Sequence, residues 1–479
     1  MIGYNRNVAW GLTNNGADMV DLFVEKADLV KKTRVFQGRT EKLREKKITI
    51  AVKGKGDREV TLLYAGRRPL LHQVFDNLGE TLSLDWTGFD SVDIRGFLLL
   101  NTAKNYGDVV EAAKKIRMTP QNMVVADRDG TIAWRVIGSL PRRVKGTGTF
   151  PADGAKTART WEGNIADADY PSLANPARGY IITANNKNVK DFPVDMNGTY
   201  APRYRYQAIE RMVKMKKEHS LEDCMRMQND THSVLARKVK GMIELYVAEK
   251  GDARTVAARK LVLDWDGAAA GDSAACSIAS TFLMRFMYRT FADEMGDALS
   301  REYVGQRYIS LERFLSLIDT RSLFFDDVTT PEKETVTDIA RKAFGESLDI
   351  LENYTGSRDM ADWKWSRVHV IRFDHPLGAS KLLRPLVSHG PLPMDGDGET
   401  NRRSGFREIE PPYVTYIAAG MRLAVQFKPE PEAHIMLITG EQEYFMSPHD
   451  TDMVDGWMAG EYFCVEKEPA KYRMEMTPK

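Results

Sequence analysis

Apolar and polar positions alternate with a period of two in short runs through the first part of the chain. Val8-Ala9-Trp10-Gly11-Leu12-Thr13 predicts a strand entered through Asn5-Arg6-Asn7 and left through Asn14-Asn15-Gly16. Lys47 to Val52 and Glu59 to Tyr64 flank Gly54-Lys55-Gly56-Asp57 and predict a hairpin. Leu82 to Gly88 predicts another strand, and Asn122 to Ala126 with Thr131 to Trp134 another hairpin, turning at Asp127-Arg128-Asp129-Gly130. Val109, Val110, Ala113 and Ile116 fall on one face of a helix that follows Asn101-Thr102-Ala103. Gly179-Tyr180-Ile181-Ile182-Thr183-Ala184 predicts a short buried strand that discharges into Asn185-Asn186.

The period then changes. Residues 206 to 355 carry helical spacing almost throughout. Ser220-Leu221-Glu222-Asp223 has the pattern of a capping box, and Thr330-Pro331-Glu332 predicts proline at a first helical position. Val336, Ile339, Ala343 and Phe344 form an inward stripe closed by Gly356, and Phe282, Leu283, Phe286 and Met287 form a second. Aromatic and methionine stripes of this kind are core rather than cofactor sites. Alternating strands, paired as hairpins and interrupted by helices, make the chain α+β.

Composition narrows the function classes. Lysine and arginine number 68 against 67 acidic residues, which provides no electrostatic footprint for nucleic acid or an anionic membrane. No apolar run approaches a membrane span, and the opening MIGYNRNVAWG has no basic-then-apolar secretory pattern. Cys224, Cys276 and Cys464 are widely spaced and unpaired in pattern, so buried inert thiols are expected rather than a disulfide framework or a thiolate metal site.

Candidate chemistry is sparse on residue type alone. Carboxamides at the end of an apolar strand are costly unless hydrogen-bonded, and Asn185 and Asn186 could aim N–H donors at a developing oxyanion, although on spacing alone such residues more often only start a turn. Asp18 and Asp21, with Glu25 beyond, could share a hard cation, although Asp-x-x-Asp is more often solvated turn chemistry. Gly54-Lys55-Gly56-Asp57 lacks the frame of a phosphate loop, and Asp127 to Gly130 lacks the later ligands of a calcium hand. His369 and His375 have no Glu or Cys to complete a ligand set in their own segment and read as structural; His72 is assigned no role.

Several longer patterns point together. "WEGNI" with "NPARGYIITANN" (161 to 186), "AWGLTN" with Asp18 and Asp21, and "GSLPRR" (138 to 143) are the first. Arg203-Tyr204-Arg205 opening a helix, and "WKWSRVH…FDHPLG" (363 to 378), are the others. Together they resemble the β-subunit of the penicillin acylase family, whose members are N-terminal-nucleophile (Ntn) amidohydrolases, over nearly the whole chain. The resemblance implies an αββα Ntn-hydrolase sandwich, incomplete at its N-terminal edge, with an inserted helical subdomain. Its parts would be a sheet region over 1–205 with a β-rich excursion at about 36–80, helices over 206–358, and a β-rich return over 359–479.

It further implies an oxyanion hole made by the Asn185 side chain and the backbone N–H of Asn14, with Arg205 as an orienting cation. A structural calcium would be held by Asp18, Asp21, the carbonyls of Val20 and Pro141, and Asp195; no organic cofactor is implied. The substrate would be a small N-acylated amide, such as a β-lactam side chain or an acyl-homoserine lactone. In the family a periplasmic or extracellular location accompanies a complete precursor. The nucleophile is an N-terminal Ser whose own α-amine is the base. Neither Met1 nor Ile2 can play that part. The expectation is therefore a missing N-terminal or small-subunit polypeptide, either cut from the same reading frame or a separate chain. The alternative is a catalytically dead binding scaffold.

Overall fold

The computed structural model describes residues 2–75, 78–91, 93–144, 146–189, 198–320, 322–442 and 444–465. The chain divides into two compact units, 1–201 and 202–479.

The first unit is organised on an antiparallel sheet. Its strands are β1 (Gly3–Tyr4), β2 (Val8–Asn14), β7 (Gln121–Asp127), β8 (Ile132–Ile137) and β11 (Ser172–Ala174), in that spatial order. The unit also contains β3 (Val20–Val24), the hairpin β4 (Arg44–Ile50) and β5 (Arg58–Ala65), β6 (Leu82–Trp86), β9 (Pro141–Arg143) and β10 (Trp161–Asn164). Side-chain alternation sorts the main sheet into two apolar faces. Val8, Trp10, Met123 and Val125 pack against Leu100 of α1 (Ile94–Asn101) and Val109 and Ala112 of α2 (Tyr106–Ala113). Val136 and Trp134 point the other way, onto Ala17, Ile165 and Tyr170. Burying such side chains contributes roughly 1.5–3 kcal/mol each, so the alternation settles which way every residue of β2 and β7 faces.

Both predicted hairpins form. Ile50 pairs with Arg58, and Ala126 pairs with Ile132. At the second turn Asp127 Oδ1 accepts from the N–H groups of Asp129 and Thr131, which is turn chemistry and no metal loop. The predicted strand at 179–184 does not form. Its backbone belongs to no ladder; Gly179 has φ +75° and the residues around it run irregularly. Ile182 and Ala184 are buried all the same, and half-buried Ile181 packs on the Trp134 and Tyr170 cluster, all without strand pairing. Apolarity there reports burial and not extension.

The second unit carries helices over 204–355, as the spacing requires. They include α3 (Tyr204–Val213), α4 (Leu221–Gln228), α5 (Val234–Tyr246), α6 (Ala253–Asp264), α7 (Ala274–Met295), α8 (Asp297–Gly305), α9 (Arg307–Thr320) and α10 (Val336–Thr355). The α7 helix is buried nearly all round, and its Phe282 meets Phe344 of α10 edge-on at 5.7 Å. The Ser220–Asp223 capping box is present, and Gly356 ends α10 in the left-handed conformation. Proline 331 does not start a helix. α10 begins five residues later, where Thr335 and Asp338 make a reciprocal cap, because Asp326 and Asp327 hold the preceding segment in turns. Strands β12 (His369–Phe373), β13 (His389–Pro393) and β14 (Tyr413–Thr415) form one sheet of this unit, and β15 (Met421–Gln426), β16 (Glu432–Leu437) and β17 (Phe463–Cys464) form an antiparallel sheet near the end of the described chain. Among the described residues no helix is long and apolar enough to cross a membrane.

Candidate active site

The hydrogen-bond parity of β2 decides what Asn14 can do. The Asn15 N–H donates to the Pro120 carbonyl at 3.1 Å. Bonded and non-bonded pairs alternate in an antiparallel ladder, so Asn14, opposite Gln121, turns its own N–H and C=O away from β7. The other edge agrees. The Asn5 N–H donates to the Val8 carbonyl at 2.9 Å, so even-numbered residues of β2 address the β1 side. Among the described residues β1 pairs only with Ala9 and Trp10, and Asn14 lies beyond its reach.

On that side stands Asn185, whose Nδ2 donates to the Asn14 carbonyl at 3.1 Å. Two residues 171 positions apart in sequence thus meet at the edge of β2. Asn185 has φ +63°, a conformation that Asn tolerates better than most residues. Its carbonyl accepts from the Ala201 N–H at 2.9 Å, and the buried Asn186 caps the bend by accepting from the Ala184 N–H at 3.2 Å. Gly16 and Gly198 allow the two segments to touch. Thr199 N–H donates to the Gly16 carbonyl at 2.9 Å, and a Cβ on Gly16 (φ +81°) would lie 2.4 Å from the Thr199 oxygen.

Sequence reading missed the side chains that hold this corner. Gln121 Nε2 donates to Asn14 Oδ1 at 2.9 Å on the helix-facing side of the sheet. On the opposite face Asn122 Oδ1 accepts from Asn15 Nδ2 at 3.0 Å and from the Trp134 indole at 3.1 Å, while Thr13 donates to the Thr183 hydroxyl at 3.0 Å. Adjacent carboxamides opening a buried strand were the available signal, since such groups must be hydrogen-bonded. A cleft of about 570 Å³ elsewhere in this unit, lined by Tyr64, Arg67, Asp85, Trp86 and Trp161, includes neither Asn14 nor Asn185.

The residues named for calcium are arranged differently from a calcium cage. The Arg143 guanidinium reaches Asp18 Oδ2 at 2.9 Å and Asp21 Oδ1 at 2.8 Å, and donates to the Asp18 carbonyl at 3.3 Å. Thr160 donates to the second oxygen of Asp21, and the Val20 N–H donates to Asp18. Burial pushes the Asp18 carboxyl up, and the Val20 N–H and Arg143 pull it down. The positive charge between the two carboxylates is a guanidinium, so this donor set does not fit calcium as it stands. Pro141 pairs with Asn164 at the start of β9, and Asp195 lies outside the described residues. Glu25 is no part of that cluster. It is fully buried between Arg68 at 2.6 Å and Arg34 at 3.3 Å, and accepts from Ser83 at 2.7 Å.

Arg205 belongs to the second unit, at the start of α3. It is buried, donates to the Tyr308 hydroxyl at 3.2 Å, and feels Arg403 and Glu399. Desolvation lowers its pKa, with Arg403 adding to that effect and Glu399 opposing it, but a guanidinium stays cationic in water-accessible pH ranges. Glu399 is itself buried and held up at about 6 by burial, against the pull of Arg307 and Arg205. His369 is structural, as its sequence context predicts. One ring nitrogen faces the Met394 carbonyl at 3.2 Å, the other faces the Thr415 hydroxyl at 3.0 Å, and burial depresses its pKa to about 3. Of the cysteines only Cys276 is buried; Cys224 and Cys464 are half-exposed, contrary to the expectation of buried thiols.

Three relatives bear on these observations. The acyl-homoserine lactone acylase QuiP of Pseudomonas aeruginosa is 25% identical over 99% of this chain and 62% of its own length. Penicillin acylase 2 proenzyme of a Pseudomonas species (strain SE83) is 25% identical over 95% of this chain and 58% of its own. The chain therefore spans about three fifths of the curated relatives it matches. A thermostable penicillin G acylase from Alcaligenes faecalis shares the fold, with a TM-score of 0.72 and 19% identity over 100% of this chain and 90% of that one. Residues 1–473 match the family described as penicillin amidase. On that match, and on the shared fold, the chain belongs to the penicillin amidase family.

Proposed function

We propose that this chain supplies the oxyanion-binding half of an amide-hydrolysing active site, with the nucleophile contributed by polypeptide outside these 479 residues. The observation that carries the reading is the meeting of Asn185 with Asn14 on the edge of β2 to which the Asn14 N–H is turned. In this reading a strand bearing an N-terminal Ser lies along that edge. Its hydroxyl attacks the carbonyl of an N-acylated substrate, its α-amine takes the proton, and the amine product leaves as the proton is passed on. Charge developing on the carbonyl oxygen is met by the Asn14 N–H and the Asn185 carboxamide.

The substrate class follows the relatives' names: an acyl-homoserine lactone or a penicillin-type side-chain amide. Purified chain is assayed against an N-acyl-homoserine lactone and a chromogenic anilide, alone and co-expressed with the polypeptide encoded immediately upstream. The expected result is turnover only in combination, lost in Asn185→Ala. Robust turnover by the chain alone, or turnover indifferent to Asn185→Ala, overturns the proposal.

A second reading, a ligand-binding scaffold without turnover, is favoured by one feature. The Asn185 amide is already engaged with protein, at the Asn14 carbonyl. Ligand binding by the folded chain, with no turnover in any combination, would select that reading.

A further inference from the structure

We propose that Glu432, His434 and Cys464 form a zinc-class metal site on one face of the β15–β16–β17 sheet. The register makes the cluster. Glu432 and His434 are two apart on β16 and so share a face. Cys464 of β17 lies directly opposite His434. The Val465 N–H donates to the Ala433 carbonyl at 3.2 Å, which makes the neighbouring His434–Cys464 pair non-hydrogen-bonded. In that kind of pair the Cα atoms are only about 4.5 Å apart and facing side chains lie closest.

Three donor atoms, a carboxylate oxygen, an imidazole nitrogen and a thiol sulfur, fall within 4.8 Å of one another. Glu432 Oε1 and His434 Nε2 are 3.2 Å apart, already a separation that two ligands of one tetrahedral ion adopt. Lys428 holds the other oxygen of the same carboxylate at 2.9 Å, which turns Oε1 towards the histidine.

Thiolate, imidazole and carboxylate together select zinc over magnesium or calcium, and three protein ligands leave the fourth position to water. Binding releases the Cys464 thiol proton to solvent and places the imidazole proton on Nδ1, so that Nε2 offers its lone pair. The ion would tie β17, two residues long, to β16. Nothing in the acylase reading uses these residues.

Cobalt(II) titrated into the purified full chain is the test. The expected result is a near-ultraviolet thiolate-to-cobalt charge-transfer band with tetrahedral visible bands, bleached by added zinc. The band is expected to vanish in Cys464→Ser and to persist in Cys224→Ser. His434→Gln should weaken cobalt binding by more than the roughly 10- to 100-fold that loss of an outer partner costs. Zinc should raise the melting temperature of the parent chain and not that of His434→Gln, a readout that stands if Cys464→Ser fails to fold. Visible bands without charge transfer, or a band that survives Cys464→Ser, would overturn the assignment.

Discussion

The Asn185 side chain is hydrogen-bonded through Nδ2 to the main-chain carbonyl of Asn14 at 3.1 Å, and that bond fixes the carboxamide against the edge of β2. Because N–H and C=O of one strand residue point to the same side, the Asn14 amide and the Asn185 amide address a common space. Removing the side chain should therefore cost turnover, and the left-handed backbone at position 185 complicates the usual alanine test. Asn185→Ala is expected to lower kcat of the reconstituted enzyme by about 10² to 10³ and to lose stability by about 1 kcal/mol at φ +63°. Asn185→Gly should lose the same turnover with less loss of stability. Equal kcat in parent and Asn185→Gly would remove the side chain from the mechanism.

Glu25 lies between two buried guanidiniums, and replacing it removes the carboxylate paired with Arg68 while Arg34 keeps Glu41 at 2.6 Å. Glu25→Gln should destabilise the fold by about 3–5 kcal/mol, seen as a lower denaturant midpoint with an unchanged slope. A midpoint within error of the parent would show that the Ser83 and Ala158 oxygens suffice for Arg68.

Glu399 predicts a pH dependence of stability. Its folded pKa is raised to about 6 from an ordinary 4.5 by burial, and Oε2 has no hydrogen-bond partner among the described residues. For a carboxyl raised in the folded state, both states are protonated below 4.5 and no penalty exists. As pH climbs from 4.5 through 6 the unfolded chain ionises first, so folding loses about 2 kcal/mol that stays lost above 6. Glu399→Gln should gain that amount at pH 7 to 8 and match the parent below pH 4. Parallel stability profiles for the two proteins across this range would contradict the prediction.

The guanidinium between Asp18 and Asp21 predicts that the fold does not depend on calcium. Chelation with EGTA should leave the melting temperature unchanged, whereas Arg143→Gln should lower it by leaving two adjacent carboxylates unneutralised. A melting temperature that rises with added calcium, or falls on chelation, would restore the ion to this position.

Some of this protein could be read from its residues in order, and some could not. Local alternation was enough for the β4–β5 and β7–β8 hairpins, and helical spacing was enough for α4 with its reciprocal cap and for the end of α10 with its glycine. These features depend on neighbours within a few residues, where propensity, capping and turn chemistry act. Motifs in register carried the family. What needed the tertiary structure were relations across long separations. The direction of the Asn14 amide depends on which parity of β2 bonds to β7, a choice made by the apolar faces of the whole sheet. Arg143 reaches Asp21 from 122 positions away. Ile182 is buried without belonging to a strand, because packing rewards apolar area irrespective of backbone pairing. Periodicity states which face of an element is dry; only the folded chain states what that face, and each strand edge, is brought against.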